Sequence, residues 1–243
     1  MILCGGVDKQ PTIFDVETGK MLKRWRGHGG TINSVAFNEE SSVAFSASQD
    51  GTVRCHDVRS RGPPIQILDE ATDSVLSVDV NSHEIATGSA DSHVRIFDIR
   101  EGRLFMDFLG ESVTDVHLTP DNQCVLAASM NSPIRLIEKA NGNLLSEYSG
   151  HKNTDFKIEC DILSSNDEIV SGSEDGQVYI WDVIEAKVVA KLDHRNISQA
   201  GKYVSPAKFI HSISAHPTAQ SFITAARERV YLWQLPMEEE MEE

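Results

Sequence analysis

Short apolar runs of strand length follow one another along the chain, separated by Gly, Asn, Asp and Ser. That alternation is the pattern of β-strands joined by tight turns. From residue 31 the runs are "TINSVAF", "SVAFSAS", "TVRCHDV" and "IQIL", then "SVLSVDV", "EIATGS", "HVRIFDI" and "RLFMDFL". They continue with "VTDVHL", "CVLAAS", "IRLIEK" and "NLLSEY", and with "DFKIECDI", "EIVSGS", "QVYIWDV" and "KVVAKL". Four antiparallel sheets of four strands each are predicted. Three runs precede them ("ILCGG", "PTIFDV", "KMLKRWR") and three follow ("FIHSISA", "SFITAA", "VYLWQL"). Long helices are not predicted, and residues 194–206, with their Gly and Pro, read as a lengthened loop.

The runs are also a repeat. "SGSEDGQVYIWDV" (Ser171–Val183) has counterparts in "SADSHVRIFDI", "SASQDGTVRCHDV" and "GGVDKQPTIFDV", with weaker copies in "SMNSPIRLIEK" and "RERVYLWQL". In five of them an Asp or Asn stands six residues before an aromatic or apolar residue, or a His: Asp8/Phe14, Asp50/His56, Asp91/Phe97, Asn131/Ile137 and Asp175/Trp181. The residues closing these copies, at 15, 57, 98, 138 and 182, lie 42, 41, 40 and 44 apart. Gly-His pairs open two of the repeats, at Gly27-His28 and Gly150-His151. A period of 40–45 with this opening and a Trp-Asp close is that of a β-propeller, each repeat one four-stranded blade.

The sequence resembles the WD-repeat propellers. There the His of the Gly-His pair bonds the turn Asp, and the chain of bonds runs on through a Ser or Thr to the Trp indole. The resemblance implies such a tetrad at His151, Ser171 (or Ser173), Asp175 and Trp181. A weaker one is implied at His28, Ser46 (or Ser48), Asp50 and His56, where His replaces Trp. Ser, His and Asp are also the members of a hydrolytic triad, but a triad occurs once per site. Here the same residues recur with the repeat, which favours a structural device. GxSxG, HExxH, P-loop and GxGxxG are all missing from the sequence. The histidines at 83, 93, 117, 194, 211 and 216 have no ligand spacing and read as loop or strand-surface residues. Neither a cofactor nor a metal site is expected.

Composition narrows the picture. The formal net charge is −15, and basic clusters are confined to "KMLKRWR" and "DVRSRG", which disfavours direct binding to nucleic-acid phosphates. No stretch approaches the 18 or so apolar residues of a spanning helix, and "MILCGGVDKQ" lacks the form of a signal peptide. Cys4, Cys55, Cys124 and Cys160 form no CxxC pair and read as free thiols. The tail at 237–243 is acidic and reads as solvated.

Three longer stretches, "RGHGGTINSVAFNEESSVAFSASQDGTVRCHDVRSR", "LDEATDSVLSVDVNSHEIATGSADSHVRIFDIREGRLF" and "EYSGHKNTDFKIECDI", resemble the mitogen-activated protein kinase organizer subfamily. The resemblance implies a seven-bladed, non-enzymatic scaffold of the cytoplasm and nucleus, with kinase-cascade components or splicing factors as partners. The fold expected here is all-β, a single propeller domain over 1–236. It has a partial first blade at 1–26, blades at 27–68, 69–109, 110–149 and 150–193, and a last blade at 207–236. That is about five and a half blades, an incomplete ring whose partial blades expose unpaired edges. Partner contacts are expected on the residues before each turn Asp or Asn (Gln49, Ala90, Met130, Glu174) and after each Gly-His (Gly29, Lys152, Asn153). A substrate-receptor adaptor, and an enzyme with a central-channel site, are the alternatives.

Overall fold

The computed structural model describes residues 1–194, 209–226 and 229–234, which form six antiparallel sheets and no helix. The expected loop beyond His194 and the acidic tail at 237–243 lie outside the described residues. The first sheet holds β1 (Ile2–Cys4), β2 (Thr12–Phe14) and β3 (Met21–Arg24). The second holds β4 (Ile32–Phe37), β5 (Val43–Ser48), β6 (Val53–Asp57) and β7 (Gln66–Leu68). The third holds β8 (Val75–Asn81), β9 (Glu84–Ser89), β10 (His93–Asp98) and β11 (Arg103–Phe108). The fourth holds β12 (Val113–Leu118), β13 (Cys124–Ser129), β14 (Ile134–Glu138) and β15 (Leu144–Tyr148). The fifth holds β16 (Cys160–Ile162), β17 (Glu168–Ser171), β18 (Gln177–Asp182) and β19 (Val188–Asp193). The last holds β20 (Ser212–Ala215), β21 (Ser221–Ala226) and β22 (Arg229–Gln234). Within every sheet the spatial order is the chain order. Counted as sheets, the blades number six rather than five and a half, the first and last with three strands each.

The second and third strands of a sheet are joined where the sequence supplies residues that tolerate positive φ. Gly51 and Gly176 follow the turn Asp at φ 80° and 81°, Ser92 takes the same place at 69°, and Asn131 is itself at 55°. These are the residue types that tight hairpins select.

The chain divides into two compact units, Met1–Met130 with Leu136–Leu145, and Asn131–Arg135 with Ser146–Glu243. In the first, Phe45, Ala47 and Val53 of the second sheet pack on Val75, Val78 and Ile85 of the third. Ala86, Val94 and Ile96 of the third pack on Val113, Val116 and Val125 of the fourth. In the second unit, Val170, Val178 and Ile180 pack on Ile210, Ile213 and Phe222. Cores therefore form between neighbouring sheets, and burying both faces of the middle strands explains why they read as continuous apolar runs.

The residue three before each turn Asp or Asn is always small: Gly5, Ala47, Gly88, Ala128 and Gly172. A Cβ on Gly88 would stand 2.7 Å from Val113 Cγ1, and one on Gly172 would stand 2.2 Å from the Ile210 carbonyl oxygen. This position sets how closely the next inner strand approaches.

Several runs are shorter than predicted, and two have a visible cause. The expected strand at 155–162 survives only as β16, because the Glu174 carboxylate binds the N–H groups of Thr154, Asp155 and Phe156 and draws them off the ladder. In "KMLKRWR" the strand ends at Arg24; the Trp25 N–H still bonds the Pro11 carbonyl, and its side chain packs on Ile13 and Ala44.

Gly172→Ala is expected to destabilise the protein by about 1–3 kcal/mol, since a backbone carbonyl cannot step aside as a side-chain tip can. Gly6→Ala, with open space around it, should stay within about 0.5 kcal/mol of the parent. Thermal unfolding of the two variants measures the difference.

Candidate functional site

The turn carboxylates organise the polar interior, and each sheet meets their demand for donors with different side chains. In the second sheet, His28 Nδ1 lies 2.9 Å from Asp50 Oδ2 and its Nε2 lies 2.8 Å from Ser46 Oγ. Thr52 Oγ1 donates to Asp50 Oδ1 at 2.6 Å, and the Gly29 N–H donates to Oδ2 at 2.8 Å. Burial works to raise the Asp50 pKa, but the donors from Thr52, His28 and Gly29 outweigh it and hold the group far below the usual carboxylate range. Burial also lowers the His28 pKa, against the pull of Asp50. His56, in the Trp position, takes no part in this chain. It stacks on Trp25 with ring centroids 4.8 Å apart, and burial takes its pKa down to about 4.

The third sheet has no lead-in His, and Arg95 takes the role. Its guanidinium grips Asp91 with two contacts, Nη2–Oδ2 at 2.7 Å and Nη1–Oδ1 at 3.0 Å, and also reaches Ser89 Oγ at 2.7 Å. The Thr72 N–H and hydroxyl complete the shell. Ion and partner are both buried, which the bidentate geometry offsets.

In the fifth sheet the expected tetrad is not assembled. Asp175 Oδ2 accepts from the Tyr179 hydroxyl at 2.8 Å, and Oδ1 accepts from the Gln177 N–H. Trp181 Nε1 donates to the Ser149 carbonyl at 2.9 Å rather than receiving a link through Ser171, whose hydroxyl bonds the Gly172 carbonyl. His151 meets Trp181 edge-on with centroids 5.5 Å apart, and its buried Nδ1 has no hydrogen-bond partner. Burial takes the His151 pKa down to about 4. The phenol of Tyr179 takes the place at Asp175 that the imidazole of His28 takes at Asp50.

The His–hydroxyl–Trp relay is instead present in the last sheet. His194 Nε2 lies 2.8 Å from Thr224 Oγ1, which also accepts from Trp233 Nε1 at 2.8 Å. His194 was expected at a loop or strand surface but is buried, edge-on to Tyr231. Two signals would have found the substitutes. The residue four after the turn Asp or Asn is Arg54, Arg95, Arg135 or Tyr179, each long enough to reach back. The Asp193-His194 pair stands where Gly-His would open the last repeat.

The residues expected to contact partners divide. Gln49, Ala90, Met130 and Glu174 each donate a backbone N–H to the entry of their own inner strand, at Thr31, Ser74, Ser112 and Lys152. Gln49 is otherwise exposed, as is Gly29. Glu174 is not available to a partner: its side chain is 4% exposed, and Thr154, Asp155, Phe156 and Lys152 saturate it. Those donors overcome burial and bring its pKa down to about 2. Asn153 is buried, and its carbonyl accepts from the Asn131 N–H at 2.7 Å. Lys152 is exposed beside Glu174. An open pocket of about 320 Å³ lies here, lined by Asn131–Pro133 and Ser149–Thr154. His83, Glu84 and Asp98 gather closely enough to hold a cation, but Lys139 and Asn122 already occupy Glu84.

Comparison with known proteins gives the same repeat. The family described as nucleolar protein 10-like, N-terminal domain, matches residues 1–159, and the WD domain, G-beta repeat, matches 142–182. WD repeat domain-containing protein 83 of Rattus norvegicus is 41% identical over 176 residues, covering 72% of this chain and 52% of the relative. The protein of that name from Homo sapiens is 42% identical over 175 residues, with the same coverage. The homolog from Dictyostelium discoideum is 30% identical over 258 residues, covering 93% of this chain and 76% of its own length. The chain spans about half the length of the vertebrate relatives it matches.

Trp181→Ala is expected to cost about 3–5 kcal/mol, since it empties a fully buried site. Tyr179→Phe, which leaves Asp175 short of a donor, should cost about 1–3 kcal/mol. Chemical denaturation of each variant reads these out. The buried imidazoles of His56, His151 and His194 bind protons more weakly folded than unfolded, so their contribution is complete above pH 6.5 and is lost as pH falls from 6.5 towards 4. The melting temperature should drop across that window, and His56→Phe should flatten the slope.

Proposed function

The chain belongs to the WD-repeat β-propeller family that includes the WD repeat domain-containing protein 83 homologues, and from that premise we propose that it is a non-catalytic scaffold that binds other proteins. The observation that carries this reading is the contrast between sealed polar networks and an open rim. Ser46, His28 and Asp50 have the connectivity of a hydrolytic triad, yet Ser46 is 0% exposed and sits within a strand. A nucleophile must be reachable and must face donors for the developing oxyanion. Ser46 does neither; its neighbours His28 and Arg54 enclose it.

The rim pocket at 131–133 and 149–154 offers what a docking surface needs: a concave shape, an exposed ammonium at Lys152 beside Glu174, and polar loop atoms. Partners are kinase-cascade components and splicing factors, met in the cytoplasm and the nucleus; the resemblance to the kinase-organizer subfamily supports this assignment. The acidic balance of the chain favours protein over nucleic-acid partners.

Affinity capture with the full chain from separate cytosolic and nuclear extracts tests the reading. Kinase-cascade components should come from the first and splicing factors from the second; recovery of neither class refutes the partner assignment. Ser132→Arg with Lys152→Ala should reduce capture roughly tenfold, about 1.4 kcal/mol, with an unchanged melt. Undiminished capture by that variant would rule out the pocket.

A further inference from the structure

The outer strand of the third sheet, β11, is guarded less than the outer strands of the other four-stranded sheets. β7 is three residues long, β15 carries Glu147 held by Arg135, and β19 carries Lys191 over the Tyr179 ring. Short length and charge are the usual means by which an open edge is kept from pairing. β11 runs six residues, and its Leu104, Phe105, Met106 and Phe108 are 41%, 43%, 55% and 68% exposed. The third sheet has all four strands of its repeat, and among the described residues β11 has only β10 beside it.

The backbone of this edge is directed outward. The Leu109 N–H bonds the Ser92 carbonyl at 2.9 Å, which extends the register that sets Asp107 opposite Val94 and Phe105 opposite Ile96. Alternation along an antiparallel strand then turns the N–H and C=O groups of Leu104, Met106 and Phe108 to the open side. The two charges of the strand are weakly engaged. Arg103 meets Glu101 at 3.0 Å with both side chains more than half exposed, a contact of little worth. Asp107 is half-buried beside Gly142, and its carboxylate accepts no hydrogen bond among the described residues.

We propose that β11 pairs antiparallel with β11 of a second copy of this chain, about a two-fold axis through Phe105. In that register Leu104 of each copy faces Met106 of the other, and the two exchange their outward backbone bonds. Arg103 of each copy lies opposite Asp107 of the other, in the non-hydrogen-bonded pairs where side chains approach most closely. Both charges are therefore matched twice. Neighbouring registers do worse: centring on Met106 sets Asp107 opposite Phe105 and Arg103 opposite Leu109, and centring on Leu104 sets Glu101 opposite Asp107. Complementary charge at this spacing is what selects a second copy, in this register, as the occupant. A contact of this kind closes on itself, so association stops at two chains. β11 shares no residue with the rim pocket, so this inference and the proposed docking surface stand or fall separately.

One strand from each copy makes a small interface, so sedimentation equilibrium of the full chain should show the mass rising from one chain to two over about 1–200 µM. Arg103→Asp, which faces two carboxylates across the axis, should raise the dissociation constant at least tenfold with an unchanged melt. Adding Asp107→Arg should bring it back to within about threefold of the parent. Cysteine cross-linking reads the register independently, in a Cys4→Ser background that removes the exposed thiol. Phe105→Cys, which faces itself, should form an intermolecular disulfide on mild oxidation, and Leu104→Cys, which faces Met106, should do so at least tenfold more slowly. A single-chain mass throughout would overturn the proposal, as would growth beyond two chains. Dimerisation indifferent to Arg103→Asp, or equal cross-linking at 104 and 105, would place the contact on another surface and overturn it as well.

Discussion

A carboxylate placed in a tight turn and then buried must find donors for both oxygens, and each sheet meets that requirement in its own way. The first oxygen is met locally, by N–H groups of the turn: Thr52 for Asp50, His93 for Asp91, Gln177 for Asp175. The second takes a long or well-placed side chain, joined at Asp50 and Asp91 by a backbone N–H from Gly29 and Thr72. Leaving it unmet costs about 1–3 kcal/mol, and more for a charge, a large share of a stability of about 5–15 kcal/mol. The donor is therefore compulsory, but its identity is not. Imidazole, guanidinium and phenol each serve once, at His28, Arg95 and Tyr179.

That freedom explains what the sequence made legible. All 22 strands could be placed from alternation and turn residues, because burial on both faces and positive φ at the hairpins leave direct marks in composition. The motif-bearing tetrads were harder. At His28, Ser46 and Asp50 the expected bonds lie at 2.8–2.9 Å, with the Thr52 hydroxyl and the Gly29 N–H bonding the carboxylate alongside the imidazole. At His151 a phenol four residues beyond Asp175 competes, and a pattern of His, Ser, Asp and Trp carries no information about that rivalry. Glu174 shows the same limit: a solvated glutamate and one capping three N–H groups are spelled alike.

The sealed networks and the small-residue contacts divide the work. Hydrogen bonds fix the inner strand to its own sheet, while Gly88 and Gly172 fix how near the following sheet's inner strand comes. Polar groups are closed on themselves beneath the surface, so recognition falls to loops whose backbone is already held, which limits the ordering entropy lost on binding.

The His194–Thr224 link has a consequence for how such chains vary. His28 and Ser46 are 18 residues apart, whereas His194 and Thr224 are 30 apart. Closing the longer span costs only about 0.5 kcal/mol more, because loop entropy grows with the logarithm of length. Insertions ahead of a latch are thus almost free, while loss of the latch is not. Over evolutionary time the connections between sheets can drift in length without disturbing the partners they join, and a fixed-spacing motif loses sight of a bond that the fold has kept.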